Sequence, residues 1–376
     1  MNVMIAGGGT GGHVFPALAV AAELRRRRNE VVFVGVEQGI ETKVVPAAGL
    51  TLRTLPGAGF KGVSAAGKLR SLSLLPWSLW GSVQLLREFR PAVVFGVGGY
   101  ASGPATLAAA LGGWPTVLFE PNAAPGLTNR LLAPLVTRAA VTYEETAYRF
   151  GVKAVRTGSP VREEFLRVPA KEHAPPFTLL IFGGSRGALA VNQAVVDALD
   201  PLLASRVPLR FVHQTGERDY DAVRTAYARR EICAEVLPFI TDMAARFAAA
   251  DLVICRAGAS TVAELAAAGR AAILVPFPQA TDQHQLRNAE AMVRAGAARL
   301  LEQSVLTGAR LVAEVLELLA HPERLGQMEA AAKRLAVPDA AARIADLIES
   351  VARCPRRAST IRPASTSTLW ASAASA

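Results

Sequence analysis

The sequence predicts an α/β fold made of two doubly wound parallel-sheet domains in tandem. An apolar run, a glycine-rich loop and a helical pattern occur in this order at residues 3–28 and again at residues 178–199. This strand-loop-helix start opens a nucleotide-binding unit, and its return half a chain later favours two domains over one with insertions. The chain has 376 residues, of which 51% are hydrophobic and 6% aromatic. It can therefore form two cores of helices packed on parallel strands.

Short apolar runs between helical patterns predict the remaining strands, which fall at residues 31–35, 92–95, 116–119, 139–141, 209–214, 235–237, 252–255 and 272–276. Strands that alternate with helices form parallel sheets, because each crossover needs a long connection. We expect a first domain at residues 1–161, a second at 162–337 and a last helix at 338–352. Residues 354–376 have no apolar period and predict a disordered tail.

Charge and cysteine content limit the class of protein. The formal net charge of +10 favours an anionic partner, such as nucleic acid, a phosphorylated substrate or an acidic membrane surface. No stacking motif or binding module accompanies the charge, so we expect no nucleic acid partner. The three cysteines are far apart, which fits a reducing compartment. No apolar run approaches the ~20 residues of a transmembrane helix.

The first glycine-rich loop has the string GGGTGGHVFP at residues 7–16. Its glycines satisfy G-x-G-x-x-G, which by itself is typical of dinucleotide-dependent oxidoreductases. That class also needs an acidic residue at the end of the second strand, and the nearest one, Glu37, lies beyond it. The loop carries Thr10 and His13 as well. A titratable imidazole at the mouth of a helix favours contact with a ligand.

Two further loops follow strands of the second half. The string GGSRG at residues 183–187 combines small residues, the Ser185 hydroxyl and a helix N-terminus, which suits a phosphate. The string RAGASTVAE at residues 256–264 also runs from a strand into a helix. Glu264 either closes a capping box on this helix or binds the two hydroxyls of a ribose, and the pattern leaves both alternatives open.

Polar residues collect after the predicted strand at residues 272–276. The string DQHQ at residues 282–285 and Asn288 bring amide and imidazole groups together, as in sites that recognise hydroxyls. The string DYD at residues 219–221 matches a D-x-D metal motif, but its charged surroundings favour an exposed helix start. We expect no metal site and no cofactor.

A basic and aromatic segment of the first half is a candidate membrane contact. It contains Lys61, Lys68, Arg70, Trp77 and Trp80. This composition suits the bilayer interface, although an ordinary buried helix explains the apolar part equally well.

Together these strings resemble the MurG family, the UDP-N-acetylglucosamine transferases that act on undecaprenyl-pyrophosphoryl-muramoyl-pentapeptide in peptidoglycan synthesis. The resemblance extends to about residue 351 and rests on GGTGGH, GGYASGP, GGSRGA and RAGASTVAE as a set. It implies the GT-B architecture, in which two Rossmann-like domains face each other across a cleft. It also implies that the last helix packs back onto the first domain.

The resemblance implies roles at matching positions. Donor contacts fall at Thr10, Gly11, Gly12, Asn122, Arg162, Ser185, Ile240, Ala259, Ser260, Thr261, Val262, Ala263, Glu264, His284 and Gln285. Among these, Arg162 and Ser185 hold the diphosphate, and the Ile240 backbone reads the uracil. Gln285, with His284, reads the sugar hydroxyls. The residues Gly98, Gly99, Tyr100 and Ser102, with the basic and aromatic segment, face the lipid acceptor and the membrane.

The implied reaction is attack of the muramoyl C4 hydroxyl of lipid I on C1 of the donor sugar, with inversion and loss of UDP. His13 and Glu120 are the candidate bases, and the near-neutral titration of an ordinary imidazole favours His13. The chain has FEPN at residues 119–122 and Ser159 where the family often has HEQN and Asn. Glu120, Asn122 and Arg162 are nevertheless present, and we expect them to keep the roles that the resemblance implies.

The implied partners are UDP-N-acetylglucosamine, lipid I, an anionic membrane surface and a cell-wall synthesis complex, at the cytoplasmic face of the cell membrane. Two rival enzymes share the predicted fold, a transferase for another UDP-sugar and a UDP-sugar epimerase. An NAD-dependent oxidoreductase is a third alternative, which rests on G-x-G-x-x-G alone.

Overall fold

The computed structural model describes residues 1–37, 39–56, 73–184 and 187–353, and these residues form two parallel sheets. The strands of the first sheet are β1 Asn2–Ala6, β2 Glu30–Val36, β3 Thr51–Leu55, β4 Val93–Gly96, β5 Thr116–Glu120, β6 Arg138–Val141 and β7 Ala154–Arg156. Those of the second are β8 Phe177–Phe182, β9 Leu209–Gln214, β10 Ala234–Leu237, β11 Leu252–Cys255, β12 Ala272–Leu274 and β13 Ala298–Leu300.

Helices alternate with these strands. In the first half they are α1 Gly11–Arg26, α2 Glu41–Ala47, α3 Leu75–Phe89, α4 Ser102–Leu111, α5 Leu127–Leu132 and α6 Glu144–Phe150. They continue as α7 Glu163–Leu166, α8 Leu189–Ala204, α9 Tyr220–Ala228, α10 Met243–Ala249, α11 Ala259–Ala268, α12 His284–Arg294, α13 Gly308–Leu319, α14 Pro322–Leu335 and α15 Ala340–Arg353.

Both sheets are doubly wound, as predicted. Their strand orders are β3-β2-β1-β4-β5-β6-β7 and β10-β9-β8-β11-β12-β13, and every pair is parallel. The order reverses between β1 and β4 in the first sheet and between β8 and β11 in the second. The loops at the carboxyl ends of these strands form the binding crevice of a doubly wound fold.

The prediction misses β3, β7 and β13, which are edge strands of their sheets. Each has exposed or half-exposed residues along its length and so lacks the continuous apolar run of a central parallel strand. The helical pattern after the first glycine-rich loop predicts a helix from Pro16 to Arg28, and this predicted start is also wrong. The helix begins at Gly11, so His13 lies in its first turn.

The last helix, α15, leaves the second sheet and packs on the first. Ile344 and Ile348 share a core with Val3 and Phe95 of the first sheet. Arg27, the residue that follows α1, holds the outer face of α15, since its Nη1 lies 2.5 Å from Asp346 Oδ1.

The two crossings between the sheets lie side by side. A Cβ built on Gly158 would lie 2.5 Å from Val337 Cβ on the returning segment. Phe165 already belongs to the second core, where its ring centroid is 5.2 Å from that of Phe247. From these contacts we propose domain divisions after Val161 and Val337, and we call residues 1–161 with α15 the first domain.

The segment between α7 and β8 is attached to the second domain by a buried ionic cluster. Nδ1 of His173 lies 2.9 Å from Asp251 Oδ1, and its Nε2 lies 3.4 Å from Glu329 Oε2. Asp251 also accepts the Thr178 N–H at 2.7 Å and pairs with Lys171 at 3.3 Å. Burial opposes the charged imidazole, but the hydrogen bond to Asp251 and the nearby Glu329 carboxylate raise the pKa of His173 to about 9.

This cluster predicts a pH dependence of stability. Because the folded pKa of His173 lies above its ordinary value, the stabilisation is complete below ~6.5 and is lost as the pH rises through about 9. Urea unfolding should therefore show the free energy of unfolding decreasing with rising pH more steeply in the wild type than in His173→Gln. His321→Gln changes an imidazole that is 47% exposed and should keep the wild-type slope. Equal slopes for wild type and His173→Gln would contradict the prediction.

Candidate active site

Loops from the two domains meet across a cleft. A Cβ built on Gly12, in the first turn of α1, would lie 3.9 Å from Ser260 Oγ in the first turn of α11. The guanidinium carbon of Arg162 lies 5.0 Å from the centroid of the Phe15 ring. Residues that the sequence predicts as donor contacts in separate halves are therefore neighbours.

Glu41, the first residue of α2, holds the first glycine-rich loop. Its fully buried carboxylate accepts the Gly9 N–H at 2.8 Å and the Val36 N–H at 3.0 Å. A Cβ at Gly8 would lie 2.0 Å from Glu41 Oε1, so the loop needs glycine there. A dinucleotide site needs an acidic residue near the end of the second strand to bind a ribose. Glu41 lies near this place, but its carboxylate binds the loop backbone instead. Glu37, the nearest candidate by spacing, is exposed.

The imidazole of His13 has a defined orientation. Its Nδ1 lies 3.0 Å from the Val97 carbonyl oxygen. Because a carbonyl only accepts, Nδ1 carries the hydrogen of the neutral ring and Nε2 carries the lone pair. Gly98 lies against the ring with φ +90°, and a Cβ there would be 2.7 Å from Nδ1. The loop after β4 therefore supports His13 from behind.

Other residues of the loop after β4 differ in exposure. Gly99 packs on the first glycine-rich loop. A Cβ built on Gly99 would lie 2.2 Å from the Gly8 carbonyl oxygen. Tyr100 is half-buried. The resemblance implies that Ser102 faces the lipid acceptor, but the structure does not bring Ser102 to a ligand-facing surface. Its side chain is fully buried, and a Cβ on Gly96 would lie 2.8 Å from its Oγ.

Glu120, the last residue of β5, is almost fully buried and organises the following loop. Its Oε1 accepts the N–H and the side-chain Nδ2 of Asn122 at 3.1 and 2.9 Å. Its Oε2 accepts the Gly126 N–H and Asn129 Nδ2, both at 2.9 Å. Burial raises the pKa of Glu120 above its ordinary value, and these hydrogen bonds offset only part of the rise. Since all four partners are N–H donors, the ionised carboxylate is the form that matches its surroundings.

Glu264 and Arg162 form a pair beside the N-terminus of α11. That helix begins at Ala259 with Gly258 as its N-cap, which places Glu264 in the second turn. The capping-box alternative is therefore wrong. Arg162 Nη2 lies 3.2 Å from Glu264 Oε1, and burial raises the pKa of Glu264 to about 7 against the opposing charge of Arg162. Arg162 also contacts the Phe165 ring, 4.7 Å from its centroid.

Three helix N-termini at the cleft are suited to an anion. The first turns of α1, α8 and α11 contain no acidic residue, and their N-caps make no side-chain hydrogen bond. Their first-turn N–H groups lack acceptors within the helix and carry partial positive charge. Ser260 and Thr261 add hydroxyls to the first turn of α11, whereas Val262 is buried in the second core.

Gln214, the last residue of β9, links two loops of the second domain. Its Nε2 donates to the Gly184 carbonyl at 3.0 Å, and its Oε1 accepts the Ile240 N–H at 2.9 Å. The Ile240 N–H is therefore engaged within the protein. Of the two backbone groups of Ile240, this leaves the carbonyl to contact a ligand.

The loop between β12 and α12 leads into His284 and Gln285, the first two residues of α12. Gln285 Oε1 accepts the Phe277 N–H at 2.9 Å, so this side chain holds its own loop. Arg256 donates to the Pro276 carbonyl at 3.1 Å and lies over the Phe277 ring, 5.4 Å from its centroid. His284 is half-buried in the first turn of α12.

The D-x-D motif belongs to a structural network. Asn192 Nδ2 donates to Asp219 Oδ2 at 2.7 Å, and Asn192 Oδ1 lies 3.1 Å from His213 Nε2. Burial lowers the pKa of His213 to about 3, so its imidazole is neutral. Among the described residues there is no group of three or more His, Cys, Asp or Glu side chains placed to hold a metal ion. Four predicted contacts, Lys61, Lys68, Arg70 and Ser185, lie outside the described residues.

Two doubly wound domains with glycine-rich loops and helix N-termini facing each other define an enzyme of the GT-B class. Residues 3–141 match the glycosyltransferase family 28 N-terminal domain, and residues 178–344 match the glycosyltransferase family 28 C-terminal domain. The chain belongs to this family and, within it, to the MurG family of UDP-N-acetylglucosamine–N-acetylmuramyl-(pentapeptide) pyrophosphoryl-undecaprenol N-acetylglucosamine transferases.

Individual relatives support this membership. The transferase of that name from Myxococcus xanthus is 47% identical over 352 residues, 92% of each chain. That from Syntrophus aciditrophicus is 46% identical over 92% of this chain and 97% of its own. The crystal structure of Acinetobacter baumannii MurG has a TM-score of 0.74 at 33% identity, covering 93% of this chain and 99% of its own.

The rival enzymes of the same fold are more distant. The UDP-GlcNAc 2-epimerase from Neisseria meningitidis has a TM-score of 0.68 at 13% identity, and it covers 93% of this chain. That likeness shows the shared fold alone.

Proposed function

We propose that this chain transfers N-acetylglucosamine from UDP-N-acetylglucosamine to the C4 hydroxyl of lipid I, giving lipid II for peptidoglycan synthesis. The relatives that carry this activity in their names match over about nine-tenths of the chain, which supports both donor and acceptor. The observation that carries the chemistry is the fixed imidazole of His13, in the helix turn that faces α11 across the cleft.

In this proposal His13 is the catalytic base. The acceptor oxygen forms a bond to C1 of the sugar while its proton passes to His13 Nε2. The bond from C1 to the β-phosphate oxygen breaks, and its electron pair leaves with UDP, so C1 inverts in one displacement. The alternative base, Glu120, is less suitable because both its oxygens already accept hydrogen bonds from the loop.

The departing diphosphate needs positive charge. Arg162 supplies a guanidinium beside α11, and the N-termini of α1, α8 and α11 supply aligned N–H groups. Such preorganised donors stabilise charge that develops in a transition state. We assign Ser185, Ser260 and Thr261 to the same anion, and Gln285 with His284 to the sugar hydroxyls.

Replacing His13 should remove most of the turnover. We expect His13→Ala to lower kcat on the order of 10²–10⁴-fold and to change the affinity for UDP little. The measurement is transfer of labelled N-acetylglucosamine to a lipid I analogue in the presence of EDTA, with UDP affinity determined by calorimetry. His321→Ala is the matched control, because His321 precedes α14 and its side chain is 47% exposed. If His13→Ala keeps most of its turnover, His13 is not the base. If the wild type binds UDP but makes no product, another acceptor or sugar must be sought.

We assign the ribose hydroxyls to Glu264, since an ionised carboxylate accepts two hydroxyl hydrogen bonds. Because the pKa of Glu264 is about 7, we expect the affinity for UDP-N-acetylglucosamine to fall with decreasing pH below that value, by at most about tenfold per unit. Glu264→Gln should bind more weakly and lose this dependence. Glu164→Gln removes the other carboxylate that pairs with Arg162, at 2.9 Å. This variant should keep the pH dependence of the affinity. Calorimetry at several pH values measures the affinity of each variant and its pH dependence. A wild-type affinity that is independent of pH would refute the assignment of Glu264.

We propose that α3 is a membrane contact at an anionic cytoplasmic surface. Trp77 and Trp80 lie one turn apart on α3 and are 64% and 62% exposed. Ser78, Ser82 and Leu86 form the buried side of the helix, so packing does not explain the tryptophans. In the part of the chain that the structure describes, no helix is both long and apolar enough to cross a membrane. Association with a cell-wall synthesis complex stays a prediction from the resemblance.

Removing both tryptophans should weaken binding to vesicles. We expect Trp77→Ser/Trp80→Ser to lower the partition coefficient onto anionic vesicles at low salt by about tenfold or more, since each indole buries a large apolar area at the interface. Cosedimentation measures the bound fraction. Val152→Ser is the control, because Val152 is 98% exposed near β7, at the opposite edge of the sheet from β3 and α3. Unchanged binding of the double variant would contradict the membrane role of α3.

A further inference from the structure

Asn288 joins the two domains through a fully buried side-chain amide. It lies on α12 of the second domain and is 0% exposed. Its Oδ1 accepts the Ala123 N–H at 3.0 Å, and its Nδ2 lies 3.2 Å from both Asn122 Oδ1 and the Ala257 carbonyl oxygen. Asn122 and Ala123 follow β5 of the first domain, whereas Ala257 precedes α11 of the second. The sequence places Asn288 among residues that recognise hydroxyls, but the structure uses it between protein segments.

The direction of each hydrogen bond is fixed by groups that cannot reverse. The Ala123 N–H only donates and the Ala257 carbonyl only accepts, so the Asn288 amide has one orientation. Both hydrogens of its Nδ2 are then used. Asn122 must present Oδ1 to Asn288 and Nδ2 to Glu120, whose Oε1 lies 2.9 Å away. Rotating the Asn122 amide by half a turn would bring donor against donor and acceptor against acceptor.

We propose that Asn288 is a positioning residue for the transfer reaction. Its amide sets the orientation of the Asn122 side chain and the distance between the loop after β5 and the N-terminus of α11. This inference rests on the proposed function and on the donor contact that the resemblance implies for Asn122, which would reach the donor from the domain opposite to α11. Asn288 acts on the sugar through Asn122, whereas most of the groups assigned to UDP, namely Arg162, Glu264 and the N-termini of α8 and α11, lie in the second domain.

Two ion pairs cross the same boundary on the outer side of α12. Arg294 lies 3.0 Å from Glu145, with both side chains 58% exposed, and Arg130 lies 3.3 Å from Asp282. Exposed pairs of this kind contribute little to stability and are screened by salt. The buried amide therefore fixes the geometry of the boundary more strongly than these pairs do.

The first test compares two ligands. Asn288→Ala leaves the Ala123 N–H and two buried acceptors without a partner. We expect its affinity for UDP-N-acetylglucosamine to fall on the order of tenfold, while its affinity for UDP stays close to the wild-type value. Asn288→Asp, which has the same shape, places an oxygen opposite two acceptors and should lose at least as much. Arg294→Gln, on the same helix, removes an interdomain ion pair and should change both affinities by less than about twofold.

The second test separates positioning from direct contact. If Asn288 acts through Asn122, the double variant Asn122→Ala/Asn288→Ala should have about the same kcat/KM as Asn122→Ala alone. Losses that multiply would overturn the proposal, as would an equal loss of UDP and UDP-N-acetylglucosamine affinity in Asn288→Ala. Unchanged affinity in that variant would overturn it too. The binding ratio needs no acceptor, so a wild-type protein that transfers nothing to lipid I refutes the proposed function without deciding the role of Asn288.

Discussion

The backbone of the cleft loops is held by buried polar side chains, and the arrangement of the site depends on this. Residues beyond the end of a strand have no neighbouring strand to accept their N–H groups, yet buried N–H groups need acceptors. Glu41 supplies them for the loop after β1, Glu120 for the loop after β5, and Gln214 for the loop after β10. Each of these side chains sits at or next to the carboxyl edge of its sheet.

This arrangement explains why the loops can be rich in glycine and still present side chains accurately. Glycine at position 8 leaves space for the Glu41 carboxylate, and glycine at position 98 leaves space for the His13 ring. The conformational freedom that these glycines would add is removed by the hydrogen bonds that the neighbouring groups make. His13 therefore obtains a defined tautomer from a backbone carbonyl, in a loop that has few side chains of its own.

The sequence predicts the fold well because central parallel strands and glycine-rich turns have local signals. Those strands were identified from continuous apolar runs, whereas the edge strands β3, β7 and β13 have open faces and give no such run. The helix starts were less accurate. Both α1 and α11 begin inside strings of small residues, and their N-caps, Thr10 and Gly258, make no side-chain hydrogen bond that would mark the start.

The residues that hold the loops were the hardest to predict, because their partners are distant in the sequence. A search for an acidic residue by spacing reaches Glu37, but the chain turns after β2 and brings Glu41 to the glycine-rich loop instead. The partners of Asn288 are also distant from it in the sequence. Its polar neighbours at residues 282–285 suggest ligand recognition, while its contacts with Asn122 and Ala123 exist only once both domains are in place.

A neutral amide suits the interdomain contact better than an ion pair would. A buried ion pair at the position of Asn288 would require the desolvation of two charges, and losing either partner would leave an isolated charge inside the protein. Asn122 and Asn288 carry no net charge, so their hydrogen bonds do not depend on salt, and neither group titrates. The ionised Glu120 lies one step away, where four N–H groups solvate it. The charge that orients this buried network is thus kept in the first domain, and within the network only dipoles cross the boundary between the domains.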